Sequence, residues 1–157
     1  MATIETIAIV GAAGKLGSAV ARSLNGKYRL LLMSEDVEEL VELKTELSKS
    51  SPDAEVHAVS CAREAAWEAD IIIIATPYAA EKDVAEKIRE VAVGKIVISI
   101  SRPLDSFYSQ LVTSEDSSAA EKLQLSLAGA GTAVKSGRRG DRRFRLTHPA
   151  PHPVAGL

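Results

Sequence analysis

IAIVGAAGKLGSAVARSL, from Ile7 to Leu24, is the stretch on which the reading of the fold turns. An apolar run ends at a glycine, and Gly11, Gly14 and Gly17 then follow at three-residue spacing. Leu16, Ala19, Val20 and Leu24 recur on one face of a helical wheel. Glycine weakens strand and helix alike, by roughly 0.5–1 kcal/mol per position. Three of them at one junction mean that the backbone there must be free of side chains. The stretch therefore predicts a buried strand over Thr3–Val10, a glycine turn, and a helix over Lys15–Leu24 stopped by Asn25-Gly26.

The rest of the chain continues the alternation. Tyr28–Met33 reads as a second strand. Ser34, Glu35 and Asp36 lead into a helix with Val37, Leu40, Val41 and Leu47 on one side. Ser50, Ser51, Pro52 and Asp53 form a loop, and Glu55–Val59 a short third strand. Arg63–Ala69 is a brief helix whose Trp67 is expected to pack on the sheet. Ile71–Ala75 is apolar without interruption, as a strand covered on both faces must be. A helix over Ala80–Val91 follows, with Ala80, Val84, Ile88 and Val91 inward. Lys95–Ser101 is a fifth strand, Ser118–Leu127 a helix and Thr132–Ser136 a sixth strand. Such alternation argues an α/β fold, an open doubly wound parallel sheet with right-handed crossovers.

Composition narrows the class. With 157 residues and 46% hydrophobic side chains, the chain can bury one ordinary core. No apolar run approaches the ~20 residues of a membrane helix. The N-terminus lacks the basic and apolar regions of a secretory signal, and Cys61 stands alone, so a cytoplasmic, reducing location is expected. The charge is uneven. Residues 1–136 carry 14 Lys+Arg against 20 Asp+Glu, whereas residues 137–157 carry five arginines against one aspartate. That last segment, GRRGDRRFRLTHPAPHPVAGL, has three prolines and no periodicity. The expected organisation is a domain over 1–136 and a basic, proline-rich, disordered tail over 137–157. A basic arm for nucleic acid or an acidic partner is the rival reading, weakened by the single aromatic among the arginines, Phe144. His148 and His152 lack the companions of a zinc site, and His57 reads as structural.

A glycine turn between strand and helix is the context of a dinucleotide fingerprint. Gly11 would permit the tight turn, Gly14 the approach of a diphosphate, and Gly17 close packing of helix on strand. Gly11, Ala12, Ala13, Gly14, Lys15, Leu16 and Gly17 thus form the candidate phosphate-binding stretch, with the positive end of the helix behind it. A P-loop is excluded, because Lys15 is followed by Leu16 and not by Ser or Thr. At the end of the second strand, Glu35 and Asp36 can each serve a cofactor ribose or cap the next helix. Ligands of such sheets sit at the carboxyl ends of strands. Ala75, Thr76, Pro77 and Tyr78, and Ser101, Arg102 and Pro103, are accordingly candidates. Tyr78 can stack on a ring or pack; Arg102 can meet an anion or stay solvated.

IAIVGAAGKLGSAVARSL, ADIIIIATPYAAEKDVAEKI and GKIVISISRPLD, taken in that order over residues 4–136, resemble the NADP-dependent coenzyme F420 oxidoreductase family. The resemblance implies a Rossmann domain binding NADP(H) along Gly11–Gly17, with Ser34 at the 2′-phosphate. It also implies hydride exchange between nicotinamide and a deazaflavin (F420) or flavin ring near Thr76 and Ser101, a small-molecule redox substrate, and homodimerisation. Ring-to-ring transfer needs no dedicated acid or base, consistent with the lack of a catalytic triad or carboxylate pair. The chain departs from the family in three places. Glu35 follows Ser34 where an arginine is usual, which leaves NAD(H) open beside NADP(H). Arg102 replaces an asparagine before Pro103, and the segment after Ser136 does not continue the family's pattern. A nucleotide-binding module without catalysis is the alternative.

Overall fold

In a computed structural model, residues 4–101, 119–127 and 133–136 are described. Six strands run in parallel: β1 (Thr6–Val10), β2 (Arg29–Met33), β3 (Val56–Ala58), β4 (Ile71–Ile74), β5 (Ile96–Ser99) and β6 (Ala133–Ser136). The helices between them are α1 (Lys15–Leu24), α2 (Val37–Ser50), α3 (Ala62–Glu68), α4 (Tyr78–Ile88) and α5 (Ala119–Ser126). The strand order is β3-β2-β1-β4-β5-β6, so the chain winds outward from β1 in one direction and, after β3, in the other. This is the doubly wound parallel sheet that the alternation predicts. The predicted tail at 137–157 lies outside the described residues.

Side chains on β1 alternate between two cores. Ile7 and Ile9 join Leu30, Leu32 and Ile73 on the face covered by α1 and α2, which contribute Ala21, Leu40, Leu43 and Leu47. Ala8 and Val10 join Leu31, Ile72, Ile74 and Val97 on the other face, under α3, α4 and α5. Every residue of β1 is buried. That explains why the central strands carry unbroken apolar runs and no polar alternation.

The helices depart from the predicted phases in instructive ways. Gly17 and Ala21 are the buried residues of α1, while Leu16 and Ala19 face solvent. The close seat of Gly17 on the glycine turn sets that rotation, and it overrides the apolar wheel. In α2 the inward set is Leu40, Leu43 and Leu47, and Val37 and Val41 are exposed. Trp67 does not pack on the sheet; it is 70% exposed. Ala62, Ala65 and Ala66 form the buried face of α3 instead. Lys95 Nζ donates to the carbonyls of Ala66 and Trp67 at 2.5 and 2.6 Å, closing the C-terminal end of α3. His57 lies exposed on β3.

α1 and α2 are tied by a two-pronged ion pair. Arg22 Nε and Nη2 donate to Glu46 Oε1 and Oε2 at 2.7 and 3.1 Å. The Arg22 guanidinium holds the Glu46 carboxyl below its ordinary range. A carboxyl lowered by folding stabilises fully above its unfolded titration range and loses that effect as pH falls through the folded one. The difference in Tm between the wild type and Glu46→Gln should therefore be present at neutral pH and close as the pH falls below the ordinary carboxylate range. It should also shrink in high salt. In the core, Ile72→Ala should cost about 2–5 kcal/mol in chemical denaturation. Trp67→Ala should stay within about 0.5 kcal/mol of the wild type.

Candidate functional site

The turn after β1 is built almost entirely from backbone. The Met33 carbonyl, at the end of β2, accepts from Gly11 N–H at 2.9 Å and from Ala12 N–H at 3.0 Å. Gly11 has φ +85°, a left-handed conformation, and a Cβ there would lie 2.8–2.9 Å from the backbone of Ala75 and Thr76. A Cβ on Gly17 would lie 2.2 Å from the Gly11 carbonyl oxygen. Folding alone thus requires both of these glycines. Gly14 differs. It is exposed, has ordinary dihedrals, and its Cβ would meet only the Gly11 carbonyl at 3.4 Å, an ordinary contact. The protein's own packing leaves this glycine unexplained, and the space beside it faces outward.

Gly14 is also the N-cap of α1, with no side-chain capping bond and no acid in the first turn. The next two helices are finished differently: Asp36 Oδ1 accepts from Glu39 N–H at 3.0 Å, and Cys61 Sγ from Glu64 N–H at 3.4 Å. The first amides of α1 keep their unpaired donors and the positive end of the helix dipole.

A cleft of about 250 Å³ opens at the carboxyl ends of β1, β2 and β4. Gly11 and Gly14 line it, with Ser34 and Glu35 on the β2 side and Ala75, Thr76 and Pro77 on the β4 side. Thr76 Oγ1 is buried and has no hydrogen-bond partner among the described residues. Leaving such a hydroxyl unmatched costs about 1–3 kcal/mol, which a ligand atom would recover. The residues present therefore fit a phosphorylated, hydroxyl-bearing ligand: an outward space at Gly14, free amides behind it, an orphan hydroxyl and an exposed carboxylate.

The two acids after β2 divide the roles left open by the sequence. Asp36 is the cap of α2, whereas Glu35 lines the cleft. Ser34 Oγ accepts from Asp36 N–H at 3.3 Å, which pins the turn between them. Met33, Ala62, Ala80, Asp83, Val84 and Lys87 also line the cleft and carry no motif. Ala80, Asp83, Val84 and Lys87 owe their place to the phase of α4, which shows Asp83 and Lys87 one turn apart on the cleft side. Ala12, Ala13, Lys15, Leu16 and Gly17 belong to the turn and the start of α1 without lining the cleft. Tyr78 begins α4 beside it; burial, and then the Glu81 carboxylate, hold its phenol above the usual range and so protonated. Ser101 turns its hydroxyl onto Glu81 at 2.8 Å. Arg102 and Pro103 lie outside the described residues.

The family model described as NADP oxidoreductase coenzyme F420-dependent matches residues 6–103. The chain belongs to this family. No curated protein matches it. Among solved structures, a protein from Arthrobacter sp. FB24 assigned as an F420-dependent NADP-reductase superposes with TM-score 0.63 and 21% identity, over 82% of this chain and 60% of that one. Lactate dehydrogenase from Eimeria maxima, solved with NADH and oxamate, gives TM-score 0.64 and 16% identity over 85% and 44% of the two chains. Plasmodium falciparum pyrroline carboxylate reductase with NADP bound gives 0.53 and 16% over 85% and 42%. The chain spans less than two thirds of each of these proteins. Their common ground with the F420-dependent oxidoreductase family member described here is the Rossmann fold. No helix among the described residues is long and apolar enough to cross a membrane.

The contrast between the glycines is testable. Gly17→Ala should destabilise the fold by several kcal/mol or prevent folding, since its Cβ would overlap backbone. Gly14→Val should keep stability within about 1 kcal/mol and leave the circular dichroism spectrum unchanged.

Proposed function

We propose that this domain binds a nicotinamide dinucleotide and serves hydride exchange with a deazaflavin (F420) or flavin-type acceptor. One observation carries the binding half: Gly14 is the glycine that the fold does not need, and it stands over uncapped amides at the cleft. The diphosphate lies along Gly11–Gly17, where main-chain N–H groups and the helix dipole meet its charge. The adenosine ribose lies toward Ser34 and Glu35. A carboxylate there accepts from both ribose hydroxyls but repels a 2′-phosphate. This reading favours NAD(H), against the family's description, and NADP(H) is the competing cofactor. The other half of the dinucleotide runs toward β4, where Thr76 Oγ1 can donate to it and Tyr78 can flank it. Membership in the family supports the redox assignment, and the acceptor ring is the family's own.

When bound, the nicotinamide supplies the hydride chemistry itself. The chain's residues bind, orient and exclude water, which suffices for transfer between two rings held face to face. A reducing, cytoplasmic setting suits Cys61, which is exposed and free.

Parallel fluorescence titrations with NADPH and NADH decide the binding half. The expected result is tighter NADH binding, lost in Gly14→Val. Glu35→Arg should shift the NADPH/NADH affinity ratio about tenfold or more toward NADPH. An unchanged ratio removes Glu35 from the ribose site. F420 or FMN added to the saturated complex should then discharge the absorbance of the reduced nicotinamide. Binding without discharge makes the chain a nucleotide-binding module, and no binding of either dinucleotide defeats both readings.

A further inference from the structure

Glu81 is a glutamate in the wrong place for a surface helix. It sits in the first turn of α4 and is 5% exposed, on the same buried face as Val84 and Ile88. Its Oε1 accepts from Ser101 Oγ at 2.8 Å and from Ser99 Oγ. The two hydroxyls are themselves 3.0 Å apart. Ser99, 2% exposed, is the last residue of β5 and pairs with Ile74. Two residues on, the register brings Ser101 to the height of Thr76, the orphan hydroxyl of the cleft. A carboxylate buried this far is costly unless its charge is hydrogen-bonded, and a leucine would serve packing alone as well or better. What the carboxylate adds is direction. It locks the exit of β5 to the turn of α4 that carries Pro77 and Tyr78.

We propose that Glu81 is a positioning residue for the nicotinamide half of the dinucleotide, acting through Ser101. This rests on the reading above. There the adenosine half takes the β2 side and the diphosphate the β1 turn, so the remaining half lies over the ends of β4 and β5. Neither Glu81 nor Ser101 lines the cleft itself; Glu81 fixes Ser101 and the N-terminal turn of α4 at the strand ends over which that half would extend.

The test compares two ligands by calorimetry in the full chain. One is whichever of NADH and NADPH binds. The other is the same molecule without its nicotinamide riboside, ADP-ribose or 2′-phospho-ADP-ribose. The wild type should prefer the whole dinucleotide by about tenfold in Kd. Ser101→Ala, at a half-buried position that folding tolerates, and Glu81→Leu should lower that preference to about twofold or less, with the truncated ligand bound as before. Glu81→Gln, which keeps an acceptor, should retain most of it. A purely structural role would weaken both ligands together and leave the ratio unmoved. An unmoved ratio in Ser101→Ala and Glu81→Leu, or no preference in the wild type, overturns the proposal. Failure of both ligands to bind the wild type overturns the dinucleotide reading itself.

Discussion

The contact between Gly17 and the carbonyl of Gly11 governs the rest of this structure. A first helix can leave the sheet at that angle only if no atom stands between the two backbones, and a Cβ would stand 2.2 Å from the oxygen. The close approach sets how α1 is rotated about its own axis, and hence that Ala21 and not Leu16 is buried. It also points the start of α1 at the mouth of the cleft. The Met33 carbonyl holds the same turn from the β2 side, and the backbone of Ala75 and Thr76 closes it from the β4 side. Three strand ends thus meet on one turn. The cleft is the space left over where they meet.

Much of this was legible because it depends on backbone. The glycine spacing, the isoleucine run of β4 and the strand–helix alternation each report main-chain geometry or two-sided burial, and each led to the observed element. What stayed illegible depends on how a helix is rotated. Val37 and Val41 share a wheel face with Leu40, yet α2 turns Leu43 inward in their stead. Trp67 is the largest side chain of its helix, yet α3 turns its small alanines to the sheet and leaves the indole 70% exposed. The same limit hid Asp83 and Lys87, which reach the cleft only through the phase of α4. Glu35 and Asp36 could be named from the sequence, but dividing cap from cleft required the bond from Glu39 N–H.

The site therefore combines two kinds of residue. In the proposed reading, free amides at the start of α1 meet the ligand's charge with nearly no side-chain chemistry, on a turn that Gly11 and Gly17 hold rigid because the fold needs them there. Glu35 and Thr76 at the cleft, and the Glu81–Ser99–Ser101 group beside it, are the groups that the proposed reading assigns to its two ends. These polar groups sit at strand ends, where a parallel sheet offers its unpaired main chain and where side chains can differ without disturbing the core.

One consequence of the winding concerns the birth of the chain. β1 pairs on one edge with β2 and on the other with β4, and Thr6 N–H is bonded to Asp70, 64 residues away. During synthesis the first strand must wait for nearly half of the polypeptide before its second edge is covered. Until then IAIV presents a bare apolar border, the sort of template on which stray strands gather. The pairing order thus leaves a slow, non-local closure to the same central strand that gives the finished sheet its strength.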